Sequence, residues 1–295
     1  MRYTKGYLGC EQDFLEVTVF DNEDIEELNQ YKDEKNVIIS MSDLQYLSGF
    51  PHIERLIITS GKAPGNVSGI LETKCDLREL KLDYEETEPF TDWCIDISKL
   101  YSLELLFSRS SSNFKGVSNS RSLKTLVVNN WYSDDLSQLK GSAIDTLSIG
   151  CGKLRFLTGI EKVPLVILSL SNLRYLTDIS CVENIPLRIL ELDTCNQIKE
   201  IESILPPTLE YLMVYGKNRF RSGTFIKNYP KLKRVMLDVL IEDGDLSAFE
   251  KLESAVLLVD RRGYNRKNSQ LPKSKYQYLI PSVPAWRYIY SRRNI

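Results

Sequence analysis

Two neighbouring stretches decide the fold of this chain: LVILSLSNLRYL at residues 165–176 and LRILELDTCNQI at residues 187–198. Each opens on a hexad with leucine at its first, fourth and sixth places. Side chains alternate between the two faces of an extended strand, so the fourth and sixth point one way and the third and fifth the other. Similar hexads recur as IERLII from Ile53, LRELKL from Leu77, LELLFS from Leu103, LKTLVV from Leu123, IDTLSI from Ile144, LEYLMV from Leu209, LKRVML from Leu232 and LESAVL from Leu252. The fourth place falls at 56, 80, 106, 126, 147, 168, 190, 212, 235 and 255, a mean spacing of about 22 residues. A leucine-rich helix would not hold that register, because its apolar face returns about every 3.6 residues.

One such unit cannot bury its own leucines. Stacking the units in parallel joins the side chains into a continuous core and pairs each strand with the next. The expected fold class is therefore α/β: a right-handed solenoid, or horseshoe, with one curved parallel sheet and short helical or irregular return segments. SDDLSQLKG (133–141) and GDLSAFEKL (244–252) carry capping residues and read as brief helices. VENIP (182–186) and ILPP (204–207) contain proline and read as irregular or 3₁₀ segments. FLEVTV from Phe14 and the run from Val37 look like weaker first copies, with a capping helix over residues 22–31 between them. Three regions follow: an N-terminal cap with weak repeats over 1–52, repeats over 53–260, and a basic aromatic tail over 261–295.

On these residues the chain resembles the leucine-rich-repeat family from about Ile53 to Val259, as an irregular bacterial-like or cysteine-containing subtype. LRILELDTCNQI fits the LxxLxLxxCxxL form, and LPPTLEYL (205–212) is similar to a segment of bacterial leucine-rich effectors. The resemblance implies that a Cys or Asn at the ninth place fills the turn after the strand. Cys195 stands there, whereas Asn130, Cys151 and Asn172 lie one residue early, and other repeats offer Glu85, Trp131 or Leu240.

With 295 residues, 42% of them hydrophobic, the chain is long enough to bury a sizeable core. No stretch approaches the roughly 18 apolar residues of a membrane span, and charge and glycine break MRYTKGYLGCEQDF before a signal-like run can form. Six cysteines at 10, 75, 94, 151, 181 and 195 show no metal or disulfide spacing and read as small buried residues of a reducing compartment, so a cytoplasmic location is expected. The net charge of −2 hides an asymmetry: residues 261–295 hold nine Lys or Arg and no Asp or Glu, which leaves 29 basic against 40 acidic residues in 1–260.

Candidates for chemistry are weak. His52 is the only histidine, follows Pro51 and reads as a turn residue. GCGKL (150–154) and SGKAPG (60–65) lack the glycine and hydroxyl spacing of a phosphate loop. The pairs Asp92 and Asp96, Asp134 and Asp135, and Asp243 and Asp245 match no calcium loop and read as caps or solvated charge. Asn66-Val67-Ser68 is a glycosylation sequon that matters only in a secreted protein. No cofactor, metal or small-molecule substrate is expected, and no enzymatic activity.

The intervening strand residues line the concave face. Ten strands about 4.8 Å apart span roughly 43 Å, a scale that suits a macromolecule. In the middle this face is small and polar, with Thr125, Thr146, Ser148, Ser169 and Ser171. Later strands present Tyr211, Met213, Tyr215, Arg234, Met236, Val256 and Leu258, flanked by Glu191, Asp193 and Asp238, a composition typical of binding hot spots. A thinner patch comprises Ile57, Lys81, Leu105, Phe107 and Arg109. The leading expectation is a non-catalytic protein-binding module, in one version an inhibitor or immunity-type protein. The alternative is binding of nucleic acid or an anionic surface through the tail, where Tyr264, Tyr276, Tyr278, Trp286, Tyr288 and Tyr290 interleave with basic residues. The tail equally suits a cap over the exposed last coil.

Overall fold

The computed structural model describes residues 1–4, 13–19, 22–83 and 94–274. It divides into two compact units, one over Met1–Val128 and one over Asn129–Ser282.

In the first unit, β1 (Arg2–Thr4) runs antiparallel to β2 (Phe14–Val17). From β2 onward the strands β3 (Asn36–Ser40), β4 (Arg55–Thr59) and β5 (Glu79–Leu82) add in parallel. A two-residue strand β6 (Ile95–Asp96) and then β7 (Leu105–Ser110) follow, and β7 joins β5 in parallel. A second short strand, β8 (Phe114–Lys115), pairs with β6 on the return side. The two weak N-terminal copies are thus true strands, in register as Leu15, Val37, Leu56, Leu80 and Leu106, each no more than 1% exposed. The expected helix between the first copies is α1 (Asn22–Leu28) with a 3₁₀ turn through Tyr31. One more short helix, α2 (Val67–Glu72), is capped by Asn66, whose Oδ1 accepts from the Gly69 amide at 3.0 Å. Lys74 then buries its amine against the carbonyls of Leu47 and Phe50, at 2.6 and 3.2 Å. The inner row at the sixth place runs Val17, Ile39, Ile58, Leu82 and Ser108. Ser108 is fully buried there because its hydroxyl donates to the Ser110 carbonyl at 2.7 Å.

Strand β9 (Thr125–Trp131) crosses the division between the units. In the second unit, β10 (Thr146–Gly152), β11 (Ile167–Ser171), β12 (Ile189–Asp193), β13 (Tyr211–Phe220), β14 (Arg234–Ile241) and β15 (Ser254–Leu257) pair in parallel and in chain order. Their inner rows are Leu147, Leu168, Leu190, Leu212, Val235 and Ala255, and Ile149, Leu170, Leu192, Val214, Leu237 and Leu257. These are the positions the hexads mark. The fold is the leucine-rich-repeat solenoid of parallel strands and short return segments.

The return legs are mostly 3₁₀, including Ser137–Leu139, Ser180–Asn184 and Ser247–Lys251. Several are started by the same device. In Asp96-Ile97-Ser98, Asp135-Leu136-Ser137, Asp178-Ile179-Ser180 and Asp245-Leu246-Ser247 the carboxylate accepts the serine amide at 2.8–3.1 Å. The middle residue of each is fully buried. The aspartate satisfies a donor at the turn while the apolar residue enters the core. The acidic residues at 96, 135 and 245 are therefore caps, as expected.

Ninth-place residues do fill the turn where the chain allows it. Cys195 is fully buried with its thiol against the carbonyls of Leu170 and Asp193, both at 3.6 Å. Trp131 is also fully buried and donates its indole N–H to the Asp135 carbonyl at 2.8 Å. Where Cys151 and Asn172 come one residue early, Leu154 and Leu173 enter the core in their place. Buried cysteines were expected throughout, but Cys75, Cys94 and Cys151 are exposed, since each occupies a turn or an outward position. The GCGKL segment has a packing role. A Cβ on Gly152, at φ +130°, would lie 2.0 Å from the Trp131 carbonyl oxygen, so only glycine lets the two coils approach.

After β15, residues 261–274 return over the last coil. Tyr264 accepts the Ile241 amide through its hydroxyl at 3.0 Å, and Asn265 Oδ1 accepts the Leu246 amide at 2.8 Å. On the edge of β15, the Leu257 amide meets Asn268 Oδ1 at 3.0 Å and the Ala255 amide meets the Pro272 carbonyl at 2.8 Å. YQYLI and WRYIY fall in 275–295, outside the described residues.

Two substitutions test this account. Leu147→Asp places a carboxylate in the dry inner row at a cost of several kcal/mol, and the expected outcome is loss of soluble, cooperatively folding protein. Asn265→Ala leaves the Leu246 amide without its acceptor; a destabilisation of about 1–3 kcal/mol should appear as a lower midpoint in urea unfolding.

Candidate functional site

The later strand patch is built by register. Tyr211 in β13 lies beside Arg234 in β14; Glu191, Met213, Met236 and Val256 form the next row, and Asp193, Tyr215 and Asp238 the row after. The rows hold each other in place. The Arg234 guanidinium sits 5.3 Å from the Tyr211 ring centroid and also reaches Glu253 at 3.5 Å. The Tyr215 hydroxyl donates to the Met236 sulfur at 2.8 Å. Two aromatic rings are thereby oriented on one strand by the side chains of the next.

Depth divides the patch. Glu191 is fully buried and accepts from the Ser169 hydroxyl at 2.8 Å, so it is not the rim charge expected from its strand position. Met213 and Val256 are also buried, at 5% and 8% exposure. Tyr211, Tyr215, Arg234, Met236, Asp193 and Asp238 remain half-buried, and Leu258 is exposed.

Beneath this patch, at the strand entrances, Glu210 binds Arg188 at 2.5 Å and Lys233 at 2.7 Å, tying three successive coils together. The hydrogen bonds from Arg188 and then Lys233 hold the Glu210 carboxyl at about 2, against an ordinary 4.5.

The earlier patch is interior rather than open. Ile57, Lys81, Leu105 and Phe107 are all no more than 4% exposed, with Phe107 packed against Leu105 and Val127. The Lys81 ammonium lies 5.2 Å from the Phe107 ring centroid. Lys81 and Arg109 both engage Asp83, at 2.5 and 2.6 Å. Burial pushes the Asp83 carboxyl up, but the bonds and charges of Lys81 and Arg109 outweigh it and hold the group below the usual carboxylate range. Phe107 and Arg109 thus serve a packed cluster in which one carboxylate, Asp83, holds two cations.

The other candidates for chemistry can be placed among the described residues. His52 is exposed and pairs with Asp76 at 3.0 Å. Among the described residues there is no group of three His, Cys, Asp or Glu side chains placed to hold a metal, and the described cysteines form no disulfide. Burial pushes the Cys181 and Cys195 thiols up to about 12, which removes thiolate reactivity. No helix among the described residues is long and apolar enough to cross a membrane. In the tail, Tyr264 is engaged in the last coil, while Tyr276, Tyr278, Trp286, Tyr288 and Tyr290 lie outside the described residues. Strand alternation also passes over aromatic residues in the turns after strands: Phe156 and Tyr175 are 41% and 60% exposed.

Solved structures share this architecture. An internalin from Listeria monocytogenes aligns with a TM-score of 0.55 and 17% identity, over 82% of this chain and 73% of that one. This chain has the leucine-rich-repeat fold. No family model matches it, and no curated protein does.

The Glu210 bridge makes a pH prediction. A carboxyl with a lowered folded pKa contributes its stability in full above the ordinary value of 4.5, and that contribution is lost as pH falls toward about 2. Glu210→Gln should therefore lower the unfolding temperature at neutral pH and flatten its decline between pH 4.5 and 2, as followed by circular dichroism.

Proposed function

We propose that this chain is a non-catalytic protein-recognition module, and that it grips its partner through the β12–β14 strand face centred on Tyr211, Tyr215, Arg234 and Met236. The observation that carries this reading is the locked arrangement of those four side chains on two adjacent strands, with Asp193 and Asp238 beside them. Aromatic, arginine and methionine groups held rigid by their neighbours lose little entropy on binding. The leucine-rich-repeat fold agrees with the role, since stacked coils present a broad surface that does not have to reorganise. Residues 261–274 act as the terminal cap of the last coil, a role supported by the amides of Ala255 and Leu257 that they satisfy. A cytoplasmic location remains part of this reading.

The test is a double substitution, Tyr211→Ala with Met236→Ala, in affinity capture from the native source followed by identification of the bound proteins. The expected result is that a protein retained by the unchanged chain is lost, while the thermal midpoint moves by only a few degrees. Undiminished capture would remove the β12–β14 face as the binding surface.

A further inference from the structure

A second surface in the Asn129–Ser282 unit lies in the turns that follow the strands. The heptapeptide Leu154-Arg155-Phe156-Leu157-Thr158-Gly159-Ile160 recurs as Leu173-Arg174-Tyr175-Leu176-Thr177-Asp178-Ile179. The shared aliphatic positions need no functional explanation, because all six are buried to 1% exposure or less. The arginine and the aromatic ring that both copies carry are different. They face outward, and core packing does not require them. Phe156 pairs with Asp178 rather than Tyr175, and the Thr177 amide donates to the Arg155 carbonyl at 3.3 Å. The copies therefore stand out of step in adjacent coils, which spreads their cations along the surface.

Together they line a cleft of about 650 Å³ whose walls include Lys153, Arg155, Arg174, Tyr175, Thr177 and Asp134. Lys153, Arg155 and Arg174 make no ion pair among the described residues, whereas Arg188 and Lys233 are held by Glu210 and Arg266 by Glu250. The Arg155 guanidinium rests 5.6 Å from the Phe156 ring centroid, and Arg155 is exposed. The cleft thus brings together three cations without an ion-pair partner among the described residues and one exposed aromatic ring, Tyr175, with the exposed Phe156 next to Arg155.

We infer that this cleft binds an acidic, aromatic-containing segment of a partner protein, through its carboxylates. Carboxylates match the guanidinium fork of Arg155 and Arg174 in pairs. Tyr175 covers the intervening apolar side chains, and Asp134 accepts a backbone N–H of the bound segment. A nucleic-acid strand fits less well. It needs a continuous basic track, and here Asp134 interrupts the basic cluster. This surface is separate from the β12–β14 face, and its test does not depend on that reading.

The experiment is fluorescence anisotropy on the full chain, with a labelled peptide of repeated Glu-Glu-Phe triplets as probe. A Lys-Lys-Phe peptide and a labelled oligothymidylate of matched length serve as comparisons. Saturable binding of the acidic peptide alone is expected, weakened at least about tenfold by Arg155→Ala with Arg174→Ala. Arg155→Lys with Arg174→Lys keeps the charge but loses the paired geometry, and should give an intermediate affinity with an unchanged unfolding curve. Three results would overturn the assignment: no saturable binding of the acidic peptide, equal affinity in the alanine variant, or oligothymidylate binding as tightly and being lost in that same variant.

Discussion

The inner rows of aliphatic side chains are what the rest of the structure depends on. A single coil has too little surface to bury its own leucines, so each strand exists only because the next coil covers it. Leu168 is dry because Leu147 and Leu190 flank it in register, and each of those depends on its own neighbour. The backbone follows the same logic, since parallel strands carry amides that only an adjacent strand can accept. The return legs have little left to decide, and this explains why brief 3₁₀ turns of varied sequence serve equally well.

That dependence also explains what was legible beforehand. The spacing of about 22 residues is imposed by the coil circumference, so the ten strands and their inward positions could be placed from the hexads alone. The weak N-terminal copies follow the same rule once Leu15 and Val37 are seen to extend the row through Leu56. The Asp-(Ile/Leu)-Ser turns were equally visible as letters, but their meaning is a hydrogen bond formed only when the chain reverses. Cysteine is a weaker guide to burial, because small size permits burial without demanding it, and at 151 the core takes Leu154 instead.

The candidate site was less legible, for a reason rooted in geometry. Alternation along a strand assigns a side chain to a face but says nothing about depth, which is set by the neighbours around it. Glu191 and Asp193 stand two residues apart on the same face of β12, yet the first is fully buried and the second half-buried. Phe107 likewise faces away from the inner rows and still ends up packed against Leu105 and Val127. The pairing of Tyr211 with Arg234 and of Tyr215 with Met236 arises between strands about 21 to 23 residues apart, a relation that periodicity permits but cannot single out.

The twin heptapeptides at 154–160 and 173–179 separate two kinds of physical constraint within a few residues. Their aliphatic letters answer to the interior, and the arginine and ring between them answer only to whatever lies outside. A lineage carrying this scaffold is free to exchange the second set while leaving the first untouched. Such exchanges would alter the charge and shape of the outer surface without any coil having to be rebuilt.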